Sequence, residues 1–251
     1  MGQVLLITGS TGIAEATAIK AAQQGDSIFV ISRDEASCLD LCARLPDSGY
    51  YACDLTDEHG VEDALTACLN RFGALDALFN VAGISGRGFG DGPLHECSTD
   101  GWTVTLDNNV KSMFLVCRGV LKYWLGLGRE GTILNMSSVL AISPQAQHFA
   151  THAYAASKGA IISMSLAMAA YYAPRKIRIN VIAPGLVRTP MSARAQTNQE
   201  VTEFIAHKQP LSGGMLDTAD VAEAALFLLG PHARHITGQV VSVDGGWTVS
   251  G

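Results

Sequence analysis

The chain has 251 residues, 48% of them hydrophobic and only 16% charged, which excludes a disordered chain and fits one large α/β domain with a sizeable core. Its 17 basic and 23 acidic residues leave a formal net charge of -6, which argues against a nucleic-acid backbone or an anionic membrane surface as partner. The N-terminal MGQVLLITG has no basic flank and its apolar run stops at Thr8 and Gly9, so neither a signal peptide nor a spanning helix is expected, and a cytoplasmic location follows.

In chain order, short β-branched runs alternate with stretches of helical period. VLLIT, SIFVIS, YACD, ALFNVA, GTILNMSS, RINVIAPG and QVVSVDGG read as buried strands, with helices near 13–24, 35–45, 57–72, 100–127, 153–173 and 217–229. Such alternation demands crossover connections and therefore a mainly parallel, seven-stranded, doubly wound sheet with helices on both faces. No repeat, low-complexity tract or charged linker divides the chain, so residues 1–251 read as a single domain. Two irregular stretches, 84–99 and 188–216, interrupt the pattern, and long loops in such domains usually carry function. The cysteines at 38, 42, 53, 68, 97 and 117 form no CxxC pair, and Cys38 with Cys42 lacks a second pair or a histidine spaced for zinc. Reduced structural thiols and no metal site are the expectation.

Between the first strand and helix stands TGSTGIA, residues 8–14. Gly9 and Gly12 would permit a tight turn and bring bare backbone N–H groups to a helix N-terminus, where the dipole favours a pyrophosphate. An ordinary strand-to-helix turn would use the same glycines, so the loop alone leaves both readings open. The second strand ends in Ser32, Arg33 and Asp34, where a ribose-binding acid or a partner for a 2′-phosphate is expected. A small Ser32 followed by a guanidinium favours NADP(H) over NAD(H); with Asp34 as the ribose ligand and Arg33 merely solvated, the preference would reverse.

Further on, YAASK places Tyr154 and Lys158 four residues apart on one helical face. An ammonium beside a phenol stabilises the phenolate and lowers its pKa, which makes the tyrosine a usable general acid and base.

With these motifs in order, the sequence resembles the short-chain dehydrogenase/reductase family over essentially its whole length. TGSTGIA is similar to the family's glycine-rich loop, CDL with Asp54 and Leu55 to its adenine-side contact, and NVAG at 80–83 to its NNAG motif. NMSS and YAASK resemble its catalytic segments, NVIAPGLVRTPM the stretch after the sixth strand, and VDGG the closing strand. The resemblance implies a Rossmann-like fold and an NAD(P)-dependent oxidoreductase that interconverts a secondary alcohol and a ketone, with Asn109, Ser138, Tyr154 and Lys158 as catalytic residues. It implies cofactor contacts from Gly9, Ser10, Thr11, Gly12, Ile13, Ser32, Arg33, Asp54, Leu55, Asn80, Ala82 and Gly83, from Tyr154 and Lys158, and from Pro184, Gly185, Val187 and Thr189. Tyr154 would exchange the proton, Ser138 hold the substrate oxygen, Lys158 bind the ribose hydroxyls, and Asn109 hold a water connecting Lys158 to solvent.

The family pattern selects Ser138 over Ser137 and Asn109 over Asn108. It also implies a homotetramer or homodimer, for which the apolar FLVCRGVLKYWLGLG is suited, and a small-molecule alcohol or carbonyl substrate. A regulator or scaffold that keeps the fold without turnover is the rival reading.

Two departures stand out. Ser138 and Tyr154 are 16 residues apart, about three more than is common in the family, and loops accept such additions at modest entropic cost. Ile142, His148 and Phe149 in this insertion are expected to influence substrate choice, making 139–152 a third substrate loop; His148 and His152 read as pocket wall or surface. The glycine loop is one residue shorter than usual and ends in Ala14, which leaves Arg33 with less help at a 2′-phosphate.

Overall fold

The near-absence of charge from VLLIT, SIFVIS and ALFN is explained by a sheet covered on both faces. A computed structural model describes residues 2–250. Its strands are β1 (Val4–Thr8), β2 (Ser27–Ser32), β3 (Ser48–Ala52), β4 (Ala77–Asn80), β5 (Gly131–Met136), β6 (Ile177–Pro184) and β7 (Val240–Val243). They form one sheet in the order β3-β2-β1-β4-β5-β6-β7, and every pairing is parallel. The helices are α1 (Ile13–Gln23), α2 (Glu35–Ala43), α3 (Glu58–Phe72), α4 (Thr99–Leu106), α5 (Ser112–Gly126), α6 (Ala146–Phe149), α7 (His152–Tyr172), α8 (Ala193–Gln196), α9 (Gln199–Lys208) and α10 (Thr218–Leu229).

Side chains alternate across the sheet with period two. Leu5, Ile7, Ile28 and Val30 meet Ala14, Ala18 and Ala21 of α1 and Val221, Ala225 and Leu229 of α10 on one face. Leu6, Phe29 and Ile31 meet Val61 and Cys68 of α3, Val116, Val120 and Trp124 of α5 and Ile161 of α7 on the other. Trp124 is fully buried, its Nε1 donates to the Leu75 carbonyl at 2.7 Å, and a Cβ on Gly131 would come within 2.5 Å of its ring. Truncating so large a buried side chain typically costs about 3–5 kcal/mol.

Strand ends fall short of the sequence reading, β4 stopping at Asn80, β5 at Met136 and β7 at Val243, and the helix read over 100–127 divides into α4, a turn at Asp107–Lys111 and α5. YACD is not a strand through Asp54: pairing with β2 ends at Ser32 opposite Ala52, and Cys53 and Asp54 turn into the loop beyond. The stretch 188–216 is largely ordered, because Asn198 caps α9 by accepting from Val201 N at 3.0 Å, and Val201 and Ile205 bury one face in a small core with Ala195, Met215 and Trp247. Most of FLVCRGVLKYWLGLG faces the chain's own core through Val116, Val120, Leu121 and Trp124, whereas Phe114, Leu125 and Leu127 are exposed.

The sheet order reverses between β1 and β4, which opens a crevice at their carboxyl ends. Thr8 fixes its floor: its hydroxyl accepts the N–H groups of Val81 and Ala82 at 3.0 and 3.1 Å, tying the end of β1 to the loop after β4. All six cysteines are free thiols. Among the described residues no helix is long and apolar enough to cross a membrane, and no cluster of histidine, cysteine and carboxylates could hold a metal ion.

Candidate active site

The crevice is a cleft of ≈ 720 Å³ running from the glycine-rich loop to α7. At one end the chain leaves β1 through Gly9, with φ +93°, and enters α1 through Gly12, with φ +62°, conformations that L side chains rarely adopt. No side chain caps α1 at Gly12, so the first N–H groups of the helix keep their hydrogens for another acceptor. A Cβ on Gly12 would lie 3.1 Å from the Thr189 side chain, so the segment after β6 packs directly on the shortened loop. Ser10, buried, hydrogen-bonds Ser37 of α2 at 2.6 Å, and Ser37 in turn donates to the Asp34 carbonyl at 2.9 Å. The shortened loop is thereby pinned to the first turn of α2.

Arg33 and Asp34 follow β2. The Asp34 carboxylate caps α2 by accepting from Ala36 N at 3.2 Å, while Arg33 is exposed and makes no ion pair. Asp54 sits nearby, its carboxyl held below its ordinary range chiefly by hydrogen bonding to Thr56 N, against the opposing effect of burial, with smaller help from the Thr56 hydroxyl and the charges of Arg33 and Lys111. Ala82 and Gly83 line the middle of the cleft, and Pro184, Gly185, Val187 and Thr189 its opposite wall.

At the other end α7 presents Tyr154 and Lys158, with the Lys158 Nζ 5.5 Å from the centroid of the Tyr154 ring. Lys158 is buried and donates to the Met136 carbonyl at the end of β5 at 3.1 Å. Burial pulls the ammonium pKa down to about 8. Burial also pushes the Tyr154 phenol above its ordinary value, against a smaller lowering by hydrogen bonding to Ser138. The expected lowering of the tyrosine by its lysine is therefore reversed: loss of water around the phenolate outweighs a cation lying over the ring and committed to a carbonyl.

Ser138 follows β5, and its Oγ accepts from Leu140 N at 3.2 Å, which leaves the hydroxyl hydrogen to donate to Tyr154 or to an oxygen bound beside it. The Ser137 hydroxyl is spent on the Lys158 carbonyl at 2.8 Å. Asn109 lies in a π-helical turn, Asp107–Lys111, inserted between α4 and α5, a distortion frequent at functional sites. Its Oδ1 accepts Ile84 N at 2.7 Å, and its Nδ2 donates to the Ile84 carbonyl at 3.0 Å and to the Ser157 hydroxyl at 2.9 Å. Asn108 instead donates back to the Val104 carbonyl in its own helix.

Of the residues expected at the cofactor, all but Asn80 line this cleft. Asn80 is buried behind it, donating to Asn135 Oδ1 at 2.8 Å, while Asn135 donates to the Ser165 hydroxyl at 2.9 Å, a network that joins β4, β5 and α7. Asn109 also stands behind the wall, against Gly83, where a Cβ would lie 2.7 Å from its Oδ1. Both Nδ2 hydrogens being engaged, only a second lone pair of Oδ1 is left on this side chain for a relay water.

Within the inserted loop Phe149 lines the cleft, whereas Ile142 and His148 do not. The His148 ring packs on Phe204 at 5.2 Å, and the His152 Nδ1 accepts Leu94 N at 2.9 Å. Phe149, Phe204 and Trp247 stack edge to face with centroids 5.8 and 5.9 Å apart, which fixes the insertion against the C-terminal segment.

Among the lining residues that sequence reasoning missed are Arg87, Arg194 and Trp247. The first two lie in the irregular stretches that composition had marked, and Trp247 follows VDGG directly. It also missed Asp91, buried beneath the start of α7.

Comparison with known proteins agrees with this architecture. Residues 7–248 match the family model described as enoyl-(acyl carrier protein) reductase. The chain is 32% identical to a 3-oxoacyl-[acyl-carrier-protein] reductase of Thermotoga maritima, over 99% of this chain and 98% of that one. Among solved structures, the 3-ketoacyl-(acyl-carrier-protein) reductase of Brucella melitensis complexed with NADH superposes with a TM-score of 0.87 at 31% identity, covering 99% of both chains. Actinorhodin polyketide ketoreductase with NADPH superposes with a TM-score of 0.88 at 28% identity, covering 99% of this chain and 98% of that one. The chain therefore belongs to the short-chain dehydrogenase/reductase family and is, with it, an NAD(P)-dependent oxidoreductase of alcohol and carbonyl groups.

Proposed function

We propose that the protein reduces a ketone to a secondary alcohol, and runs the reverse reaction, with NADP(H) in preference to NAD(H) and with Tyr154 as the general acid and base. The observation that carries the reading is one cleft in which an uncapped helix N-terminus at Gly12 lies at one end and the Tyr154, Lys158 and Ser138 cluster at the other. The loop fits a dinucleotide: Gly9 and Gly12 turn the chain at positive φ, and the uncapped N-terminus of α1 offers its N–H groups to a pyrophosphate. Gly9 to Ile13 would hold the pyrophosphate, Asp54 and Leu55 the adenine side, and Pro184 to Thr189 the nicotinamide side.

The bound nicotinamide supplies or accepts the hydride at the substrate carbon. Everything else falls to this chain. Ser138 donates its hydroxyl hydrogen to the substrate oxygen as negative charge grows there. Tyr154 gives its proton to that oxygen during reduction and takes it back during oxidation. Because its pKa is raised, the phenol holds that proton at neutral pH, the form needed for reduction. Lys158 spends one N–H on the Met136 carbonyl and keeps two for ribose hydroxyls. Asn109 fixes the turn at Gly83 and Ile84 through its paired hydrogen bonds to Ile84.

The preference for NADP(H) rests on the end of β2. Asp34 is engaged as a helix cap, Ser32 is small, and Arg33 forms no ion pair among the described residues, so its guanidinium is open to a 2′-phosphate. Exposed Phe114, Leu125 and Leu127 on and beyond α5 support a homodimer or homotetramer, which light scattering would test. The regulator reading draws no support from the comparisons. Following nicotinamide absorbance with NADPH and NADH over a panel of ketones tests the whole reading: cofactor binding without turnover of any substrate would overturn it.

A further inference from the structure

The arginines of this chain divide by location. Arg44, Arg71, Arg118, Arg129 and Arg188 each form an ion pair with a carboxylate, Arg178 donates to backbone carbonyls at the end of α10, and Arg175 and Arg234 lie exposed to solvent away from the cleft. The three that line the cleft, Arg33, Arg87 and Arg194, have no carboxylate within ion-pair distance among the described residues. Arg33 belongs to the cofactor end. Arg87 and Arg194 come from opposite walls of the substrate end, one from the turn Arg87–Phe89 and the other from α8.

Among the described residues their only hydrogen-bond acceptor is shared. Arg87 Nη2 donates to the His148 carbonyl at 3.4 Å and Arg194 Nη2 to the same oxygen at 3.3 Å. Two guanidinium groups offer ten N–H donors between them, at five each, so one neutral carbonyl leaves most of that capacity and both charges unanswered. The pair repel each other, and Arg87 is held below the ordinary arginine range first by burial and then by Arg194, with Asp91 opposing. Asp91 acts on Arg87 only through space: its two oxygens accept Ala153 N and Tyr154 N, and it forms no ion pair with either arginine. The lining carboxylates, Asp34 and Asp54, lie beside Arg33 at the other end. Around the pair the wall is apolar, built from Phe149, Met191, Ala195 and Trp247.

We propose that Arg87 and Arg194 form an oxyanion clamp at the substrate end of the cleft, so that the preferred substrate is a ketone or secondary alcohol carrying a carboxylate or a similar oxyanion. Two planar forks that meet at one carbonyl oxygen suit bidentate recognition of such a group. The inference rests on the oxidoreductase reading of the same site and adds the chemical class of its substrate.

The test compares acetoacetate and levulinate with their methyl esters, which keep the ketone and lose the charge. The wild type is expected to reduce the acids with kcat/KM about 10- to 100-fold above the esters, the range of one or two charge-assisted hydrogen bonds. Arg87→Gln with Arg194→Gln should bring acid and ester close to equality while leaving the KM for NADPH unchanged; Arg87→Lys with Arg194→Lys should retain part of the preference. Calorimetric titration with levulinate and its ester, in the presence of NADP, reads binding apart from turnover and should show the same acid preference.

Equal binding of acid and ester by the wild type would overturn the clamp while leaving the oxidoreductase reading intact. Loss of both substrates alike in the Gln variant would mean that the pair only holds the inserted loop, and a raised KM for NADPH would assign it to cofactor phosphate; either also overturns the proposal. Acid-selective binding without turnover of any ketone would sustain the clamp and count against the reaction.

Discussion

Asp91 Oδ2 accepts the backbone N–H of Tyr154 at 2.9 Å, and its Oδ1 accepts that of Ala153 at the same distance. A residue 62 positions away in sequence thus caps the helix that carries the Tyr/Lys pair, a task that the local Thr151 side chain does not perform. Removing such a cap costs about 0.5–2 kcal/mol, and the buried carboxylate also complements the helix dipole. Asp91→Ala is expected to lower stability by about 1–2 kcal/mol and to lower kcat, because α7 carries Tyr154. Asp91→Asn, which keeps one acceptor oxygen, should lie between. Thermal melts with steady-state kinetics check both; wild-type stability in Asp91→Ala would contradict the capping role.

In the proposed preference for NADP(H), Arg33 supplies the deciding charge. Hydrogen bonds to charged groups contribute about 1.5–3 kcal/mol, roughly 10- to 150-fold. Arg33→Gln should therefore lower kcat/KM for NADPH by about that factor and leave NADH nearly unaffected. A loss shared equally by both cofactors would refute a 2′-phosphate contact.

The pH dependence of the two directions should differ in sign. Reduction needs the protonated phenol, and with the Tyr154 pKa raised the rate at saturating cofactor should stay flat through neutral pH. Oxidation needs the phenolate, so its rate should climb with pH across that range. Lys158 loses its proton as pH rises through about 8, so the KM for cofactor should begin to increase there. Parallel pH–rate profiles test this; an oxidation rate that falls on going from acid to neutral pH would contradict it.

Arg178 is a structural prediction independent of the chemistry. Its guanidinium donates to the carbonyls of Leu228 at 2.9 Å and of Leu229, Gly230 and Ile236 at 3.3 Å, closing the C-terminus of α10 beside β6. Arg178→Ala leaves the Leu228 and Leu229 carbonyls unpaired, since Gly230 still accepts from Ala233 N and Ile236 from Asn180 Nδ2, and is expected to cost about 2–3 kcal/mol, a fall of roughly 5–10 °C in Tm for a chain of this size. A variant melting within a degree of the wild type would contradict the cap.

Features encoded locally were legible in the sequence. The strands β1, β2 and β4 announced themselves as apolar runs, and the Tyr154 and Lys158 pair needed only helical spacing to share a face. Ser138 and Asn109 were distinguished from Ser137 and Asn108 by resemblance, and hydrogen bonds supply a physical reason, since both neighbours are spent on nearby carbonyls. What was missed depends on tertiary geometry. The π-helical turn at Asn109 has no compositional mark, and the Asp91 cap, like the meeting of Arg87 with Arg194, joins segments far apart in sequence. Helix α9 did carry a signal, Asn198 before the spacing of Val201 and Ile205, which the polar surroundings hid. The direction of the Tyr154 shift depends on how much water surrounds the ring, and no spacing rule reports that.

Tyr154→Phe tests the assignment of the proton most directly. It removes one hydroxyl, keeps the ring beneath Lys158 Nζ and leaves the glycine loop untouched. Single-turnover reduction of a ketone by the NADPH-bound variant should slow by about 100-fold or more, the usual share of general acid catalysis, with NADPH binding unchanged by fluorescence titration. Reduction at the wild-type rate, with that binding intact, would contradict it.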